Sequence, residues 1–388
     1  MLGLIAIVAL VVALIAGCVH HALAIPPWEP LPNPALPSPN AYDTWAEVVP
    51  AFKSLTSRER EALSDDATPV AEVRRILEPY REALDRLEPA LGQPAVIPYD
   101  YTTADGGANT VYPFQAVALW LAEARVFEAD GRIAEAVDSA LDAIQLCVDF
   151  ASHGNGSDTL SAAGSQRTGT RWMVQRVEKL PAPVARRALE RVNRMRPLWP
   201  TAEQVLQRDR PQQLQFLYYA WDEIDRERDS AARLRVWRRQ IGAGVWSRRQ
   251  GRALLSRQLD ALEAEARKPT AQRVEPPESA ALDETEHLVI NNLSLLLAVD
   301  AGSFRLDFLR LRLALRIHGL EHGAYPAALE ELASLLDGDV PLDVFTGEAL
   351  HYRRDGNTYR LWSVGPNGTD DDGAGDDLLA GALWKPTQ

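Results

Sequence analysis

The residues with the clearest capacity for chemistry lie near the C-terminus, where five aspartates fall within the eight positions 370–377. Carboxylates this close repel one another unless they are solvated or neutralised, and a hard cation with oxygen ligands neutralises them. The sequence therefore favours a calcium loop, although the order of its acidic positions does not fit an EF-hand. A solvated acidic tail is the alternative, and it stays open. The candidate ligands are Asp370, Asp372, Asp376 and Asp377.

A second group of residues that could carry out chemistry is the string His318-Gly319-Leu320-Glu321-His322. It has the H-x-x-E-H spacing of inverted zinc peptidases, in which two histidines bind zinc and the glutamate acts as general base. Those enzymes need a further acidic ligand on a downstream helix, whereas the chain after 322 has the pattern of turns and strands. A helix C-terminus, whose dipole favours partly cationic histidines, is the favoured explanation of the string. A zinc-dependent hydrolase is thus the alternative function.

Composition excludes several classes of protein. Hydrophobic residues make up 46% and charged residues 24% of the 388 positions, values typical of a folded chain. The net charge of −13 argues against nucleic acid as a partner, because such a partner requires a basic surface. Two cysteines, Cys18 and Cys147, exclude a disulfide framework. The sequence contains no P-loop, G-x-S-x-G or G-x-G-x-x-G motif, so it specifies no reaction.

The N-terminal segment, residues 1–25, is almost entirely apolar and long enough to cross a bilayer as a helix. We predict a transmembrane anchor or signal segment here, with the bulk of the chain outside the cytoplasm at a bacterial inner membrane. The alternative is a lipoprotein, because Ile15-Ala16-Gly17-Cys18 has the form of a lipobox whose Cys18 is lipidated. No Lys or Arg precedes Lys53, so the positive-inside rule gives no orientation.

Seven prolines occupy the next segment, residues 26–41. Proline removes amide donors and disfavours helix in the residue before it, so the segment is predicted to be an extended, semi-rigid stalk. A proline-rich recognition ligand is the alternative.

Residues 42–300 are predicted to form a helical body. Apolar residues recur there at intervals of three and four, and clusters of Gly, Pro and Asn separate the helical stretches. We expect helical hairpins packed into a mainly α domain.

One of these hairpins, from Trp120 to Leu146, resembles a tetratricopeptide repeat. Its small residues would let two helices approach closely, and a glycine would supply the turn. No second copy follows at a period of 34, so an ordinary helical hairpin is the alternative. The residues at the signature spacings are Trp120, Ala124, Phe127, Gly131, Ala136 and Ala143.

Ten arginines and two tryptophans lie between Asp222 and Leu259. Such a mixture is found on surfaces that bind nucleic acid or phospholipid. Aspartates and glutamates at the start of the segment stand four positions before several of the arginines, which favours a solvated helix face with salt bridges.

The C-terminal module, residues 301–388, has a different pattern from the body. A helix from about Ser303 to Glu321 is followed by a short helix over 327–336 and two strands, Ala349–Arg353 and Tyr359–Val364. The Asp355-Gly356 pair between the strands is a strong hairpin signal. We predict a small α+β unit here.

This order of elements resembles the C-terminal part of the type II secretion major pseudopilin. The corresponding motifs are Tyr325-Pro326, Asp343-Val344-Phe345 and Ser363-Val364-Gly365-Pro366-Asn367-Gly368. The resemblance implies a structural calcium loop closed by Asp376, Asp377 and oxygens near Ser363. The pilin processing site is absent from the N-terminus, and Val344 stands where the family has proline. The resemblance therefore implies a related module and not a pilus subunit.

The whole arrangement also resembles planctomycete-type membrane-anchored helical proteins, which implies an architecture and no activity. The expected fold is mainly α, with an N-terminal transmembrane helix, helical hairpins and a small pseudopilin-like α+β module. The expected function is a non-enzymatic, membrane-anchored envelope scaffold or protein-interaction protein, and the pseudopilin resemblance implies a link to secretion. Its expected partners are the membrane and other proteins.

Overall fold

The computed structural model describes residues 11–15, 17, 27–103, 113–226, 248–274, 292–338, 340–365, 367–372 and 378–379. At positions 220, 222–226, 292–293 and 378–379 it describes the backbone alone. These parts of the chain are mainly helical and carry a small antiparallel sheet near the C-terminus. The prediction of a mainly α fold with a small C-terminal sheet is confirmed.

Most of the predicted anchor, residues 1–25, lies outside the described residues, and so does Cys18. Residues 11–15 and 17 are helical, and the side chains of Val12, Leu14 and Ile15 are exposed. Among the helices that the structure describes, none is both long and apolar enough to cross a bilayer. The transmembrane helix remains a prediction.

The proline-rich segment lies against the helical body. Residues 27–40 form neither helix nor strand, as expected of a chain with so few amide donors. The indole N–H of Trp28 donates to the carbonyl of Thr102 at 3.0 Å, and the Asn33 side-chain oxygen accepts the N–H of Tyr101 at 2.7 Å. The segment contacts the body, because Trp28 and Asn33 bind the loop that follows Tyr99. Its role as a stalk remains a prediction.

The first part of the body consists of short helices interrupted by prolines. Buried side chains such as Trp45, Phe52 and Leu77 join these helices to the main hydrophobic core. The α-helices are α1 (Ala41–Val48), α2 (Ser57–Ser64), α3 (Val70–Leu77) and α4 (Arg81–Leu87). The 3-10 helices are Val49–Ser54, Glu78–Tyr80 and Glu88–Ala90.

The predicted hairpin is formed by α5 (Gln115–Ala129) and α6 (Ile133–His153). Ala124 and Ala136 are fully buried, which allows the two helices to approach closely. Gly131 adopts φ +75°, a conformation that favours glycine, in the turn between them. The helical hairpin is confirmed, whereas membership of a repeat family remains a prediction.

The rest of the body contains longer helices. They are α7 (Gly156–Val174), α8 (Ala182–Met195), α9 (Ala202–Arg226) and α10 (Arg248–Ala266). The 3-10 helices are Val177–Lys179, Arg196–Leu198 and Thr270–Gln272. Helices α9 and α10 pack against each other through Leu217, Trp221, Leu255 and Leu259.

The helix α11 (Asn292–His322) is longer than predicted and crosses the proposed boundary at 300/301. It starts earlier because Leu295, Leu296 and Val299 bury against α9 and α10. Further along, Phe308 and Leu313 are fully buried in the main core. One helix thus provides apolar contacts to both the body and the C-terminal module.

The C-terminal module contains a 3-10 helix (Leu329–Leu335) and a three-stranded sheet. Strands β1 (His351–Asp355) and β2 (Thr358–Ser363) pair antiparallel around a Gly356-Asn357 turn. The short strand β3 (Leu378–Leu379) returns to the other edge of β2, where Leu378 pairs with Ser363. The elements follow the predicted order, with strand boundaries shifted by one or two residues.

Glu178 joins the module to the body. Its carboxylate accepts hydrogen bonds from the hydroxyl of Tyr359 at 2.7 Å, from Arg312 at 2.9 Å and from the hydroxyl of Tyr325 at 2.9 Å. Burial pushes the pKa of Glu178 upward, but the Tyr359 hydrogen bond and the Arg312 charge outweigh it and hold the pKa below its usual value. The half-buried carboxylate of Glu178 therefore connects β2, α11 and the Tyr325-Pro326 turn.

Candidate functional site

An open cleft of about 410 Å³ lies where α11 meets the C-terminal module. A volume of this size is within the range of binding sites for small ligands or a few side chains. One wall comes from α11 and the turn after α8, and the other comes from the loop at 340–347. The lining residues are Arg196, Pro269, Ser303, Asp307, Arg310, Val340, Pro341, Leu342, Asp343, Val344 and Gly347.

The floor of the cleft carries one carboxylate between two arginines. The Asp307 carboxylate accepts a hydrogen bond from Arg196 Nε at 2.7 Å and another from Arg310 at 2.9 Å. Arg310 also donates to the Asn193 side chain and to the Leu336 carbonyl. Two cations against one anion leave a net positive charge at this position.

Arg196 is the more exposed of the two arginines that line the cleft. Its side chain is 30% exposed, against 12% for Arg310. Only its Nε is bonded to Asp307, and within the described chain no acceptor binds its two terminal nitrogens. These two nitrogens form a planar pair of donors that suits a carboxylate or a phosphate.

The position of Arg196 depends on a close approach between the turn after α8 and α11. Trp199 is buried, and its indole N–H donates to the carbonyl of Val299 at 2.9 Å. A Cβ at Gly302 would lie 2.1 Å from the Trp199 ring, so only glycine permits this contact. Gly302 and Trp199 therefore bring Asp307 within reach of Arg196.

The opposite wall is shaped by Asp343, one residue of the Asp343-Val344-Phe345 motif. Its buried carboxylate accepts the N–H of Phe345 at 2.9 Å and that of Val364 at 3.2 Å. Burial raises the pKa of Asp343, although these hydrogen bonds oppose the rise. Leu342, next to it, is 59% exposed at the cleft mouth. The wall thus combines a fixed loop with an accessible apolar side chain.

Two of the predicted calcium ligands, Ser363 and Asp370, lie on different faces of the sheet. Ser363 is fully buried, and its hydroxyl accepts the N–H of Gly365 at 3.0 Å. Its neighbour Trp362 points to the other face, where its indole N–H donates to Asp370 at 3.0 Å. Alternation along β2 separates Ser363 from Asp370. Asp376 and Asp377 lie outside the described residues, and the next residue, Leu378, pairs with Ser363.

Asp370 and Asp372 lie beside a histidine and two arginines of the protein itself. The second oxygen of Asp370 lies 3.3 Å from His351 Nδ1. The hydrogen bond from Trp362 is the main cause that lowers the pKa of Asp370. The Asp372 carboxylate lies 3.7 Å from Arg353 and 3.8 Å from Arg360. Each of these two exposed carboxylates therefore has protein side chains on one side and solvent on the other.

The zinc-like string occupies the end of α11, as its sequence indicated. The rings of His318 and His322 stack 4.1 Å apart, and each Nδ1 lies by a backbone carbonyl. Glu321 is instead bonded to Arg186 on α8. Over the described residues, no group of three or more His, Cys, Asp or Glu side chains is arranged to hold a metal ion.

A pair of buried carboxylates was not predicted from the sequence, with Asp158 at the start of α7 and Asp209 in α9. Asp158 and Asp209 are 1% and 2% exposed. The Asp158 carboxylate accepts the N–H of Asn155 at 3.1 Å and the hydroxyl of Tyr99. Asp209 accepts the N–H of Gly156 at 3.1 Å and the Gln213 amide at 2.7 Å. All of these donors are uncharged.

Burial and mutual repulsion both act on this pair. Burial, with a contribution from the Asp209 charge, raises the pKa of Asp158 to about 7, and burial also raises the pKa of Asp209. A signal for Asp158 was present in the sequence, because Asn155 and Asp158 have the spacing of a helix capping box. No such local signal marks Asp209, which lies in the middle of a helical stretch.

No protein-family model, curated protein or solved structure matches this chain. The pseudopilin and tetratricopeptide resemblances accordingly rest on sequence motifs. The geometry of the described residues, and of the cleft in particular, is what supports a function.

Proposed function

We propose that this protein is a non-enzymatic scaffold of the bacterial cell envelope that holds a partner peptide in the cleft beside its C-terminal module. Residues 1–25 anchor it in the inner membrane, or Cys18 does so as a lipid attachment site. The bulk of the chain lies outside the cytoplasm. The pseudopilin-like module links the protein to secretion machinery by analogy of motif.

The observation that carries this proposal is that one cleft is lined by both Arg196, with its two terminal nitrogens, and the exposed side chain of Leu342. A bidentate acceptor satisfies both nitrogens at once, and such charge-assisted bonds are stronger than neutral ones. The exposed Leu342 side chain loses contact with water when an apolar group covers it. The partner that fits is therefore a segment with a carboxylate beside an apolar side chain.

The rigid attachment of the module supports the same role. Glu178 binds groups from three separate elements, and the core continues from the body into the module through Phe304, Phe345 and Leu361. The two walls of the cleft are thus fixed relative to each other. A preformed cleft avoids the entropy cost of ordering its own walls when a partner binds.

A calcium loop at the C-terminus is part of the proposal. Its support is the pairing of Leu378 with Ser363, because this pairing places the backbone directly after Asp377 at the end of β2. Asp376 and Asp377 would supply the carboxylates, in the order that the pseudopilin resemblance implies. A hard cation there would neutralise part of the acidic run.

Peptide binding to the purified protein tests the cleft. We would measure fluorescence anisotropy with two labelled octapeptides, one alternating Leu with Glu and the other alternating Leu with Gln. The Glu peptide is expected to bind about tenfold more tightly, because a pair of charge-assisted hydrogen bonds contributes binding free energy of that order. Arg196→Gln should remove that preference, and Leu342→Ser should weaken both peptides alike.

Arg194→Gln is the matched control, since it removes the same charge from an exposed position of α8 outside the cleft. Equal binding of both peptides to the unmodified protein would contradict the proposal. So would an Arg196→Gln variant that behaves like the Arg194→Gln control. Protease accessibility on intact cells tests the location separately, with cleavage of the body expected only if it lies outside the cytoplasm.

A further inference from the structure

The chain immediately after the predicted anchor is tied to α9. The hydroxyl of Tyr218 donates to the carbonyl of Pro27 at 3.2 Å, and the Trp28 ring lies 4.8 Å from the Tyr218 ring in an edge-on arrangement. Glu29 pairs with Arg252 of α10 at 2.5 Å. Three successive residues, 27–29, are thus held against the α9–α10 pair.

This attachment limits the distance between α9 and the membrane. The apolar segment ends at Ile25, two positions before Pro27 in the chain. Two fully extended residues span at most about 7 Å. If residues 1–25 cross the bilayer, the surface around Tyr218 lies at the level of the lipid headgroups.

Next to Tyr218, the helix α9 exposes two aromatic side chains. Phe216 is 45% exposed and Tyr219 is 43% exposed. Successive residues of a helix are about 100° apart, so Tyr219 is adjacent to Tyr218, and Phe216 lies one turn back on the same side as Tyr219. Leu217 and Trp221 occupy the opposite, buried side. The exposed face is therefore aromatic beside the point where the chain leaves the anchor.

A basic side chain lies on the neighbouring helix. Arg249 is exposed and stands one turn before Arg252 on the same face of α10, the face that holds Glu29. Aromatic side chains are enriched where membrane meets water, and arginine near the surface is attracted to lipid phosphates. A phospholipid headgroup layer satisfies both kinds of side chain.

We propose that the face formed by Phe216, Tyr219 and Arg249 rests in the phospholipid headgroup layer. The body then lies against the membrane instead of being held away from it by the proline-rich segment. The inference rests on the transmembrane anchor of the proposed function. If the lipid were attached at Cys18 instead, residues 19–25 would lengthen the connection between the membrane and Pro27 by seven residues. It does not depend on the cleft or on its partner.

The test uses the full-length chain reconstituted into vesicles of phosphatidylcholine and phosphatidylglycerol. A fluorophore is attached to Phe216→Cys or Tyr219→Cys in a Cys18→Ser background, since the remaining Cys147 is buried. Quenching by a headgroup spin-labelled lipid is measured after flotation. The control is Leu198→Cys, whose native side chain is also 45% exposed but lies on the turn after α8.

The proposal expects roughly twofold or greater quenching at 216 and 219 than at 198. Phe216→Asp with the reporter at 219 should reduce quenching while flotation continues, because a carboxylate is disfavoured at that depth. Flotation with equal quenching at the three positions would overturn this inference and leave the anchor intact. Failure of the Cys18→Ser chain to float would overturn the transmembrane anchor and this inference together.

Discussion

Two pairs of aspartates in this molecule are stabilised in opposite ways. Asp158 and Asp209 are buried and receive hydrogen bonds from uncharged groups only. Asp370 and Asp372 are exposed and lie beside His351 and two arginines. The buried pair holds its protons more tightly than usual, whereas the pKa of Asp370 is lowered.

The difference shows that the density of acidic residues in a sequence does not measure their energetic importance. The aspartate run at the C-terminus is conspicuous because its members are adjacent, yet solvent and nearby cations reduce their repulsion. Asp158 and Asp209 are 51 positions apart in the chain and meet only in the fold. Desolvation makes their charges far more costly than those of the exposed pair.

The largest effect is expected from Asp158→Ala. The change leaves the N–H of Asn155 and the hydroxyl of Tyr99 without their buried acceptor, so the free energy of unfolding should fall by about 2 kcal/mol or more. Urea denaturation measures it. Asp66→Ala, at an exposed position, is the control. An equal fall in the free energy of unfolding of the two variants would contradict the greater importance of the buried aspartates.

A pH titration of stability sharpens the comparison. The folded state raises the pKa of Asp158 to about 7, above the value near 4 of an unfolded aspartate. Folding therefore takes up a proton at pH values between about 4 and 7. The contribution of this group is therefore complete below about pH 4 and is lost as the pH rises through 7. Asp158→Asn cannot take up that proton.

The stability of Asp158→Asn relative to the unmodified chain should therefore rise between pH 4 and pH 7. One proton corresponds to at most about 1.4 kcal/mol per pH unit. Denaturation curves at several pH values give the difference directly. A difference that stays constant with pH would show that Asp158 titrates normally.

The smallest effect is expected at the exposed pair. Asp372→Asn removes two long, solvent-exposed ion pairs, and such pairs contribute little to stability. Its melting temperature should match that of the unmodified chain in a calcium-free buffer. Calcium should then raise the melting temperature of the unmodified chain, and a double Asp376→Asn, Asp377→Asn variant should lose this response. An unchanged melting temperature with calcium would remove the ion from the proposed function.

Local patterns made part of the fold predictable. The hairpin of α5 and α6 follows from alanines at the contact and Gly131 at the turn, all within one short stretch. The turn between β1 and β2 follows from Asp355-Gly356. In each case the partners are close in sequence, so spacing alone specifies the contact.

The cleft was not predictable in the same way. Arg196 and Asp307 are 111 positions apart, and their contact depends on how closely Trp199 approaches Gly302. Nothing next to Arg196 in the sequence distinguishes it from the other arginines. The beginning of α11 was missed for a related reason, since Leu295 and Val299 belong to a core that α9 and α10 complete.

The path of α11 has a practical consequence for dividing this protein. A fragment that stops at residue 300 would end nine residues into the helix and would lack Phe308 and Leu313, which are buried in the main core. A fragment that starts at 301 would expose the same side chains to water, because the helices of the body that bury them would be missing. Expression of either fragment alone should give insoluble material, so biochemical work on the cleft requires the full-length chain.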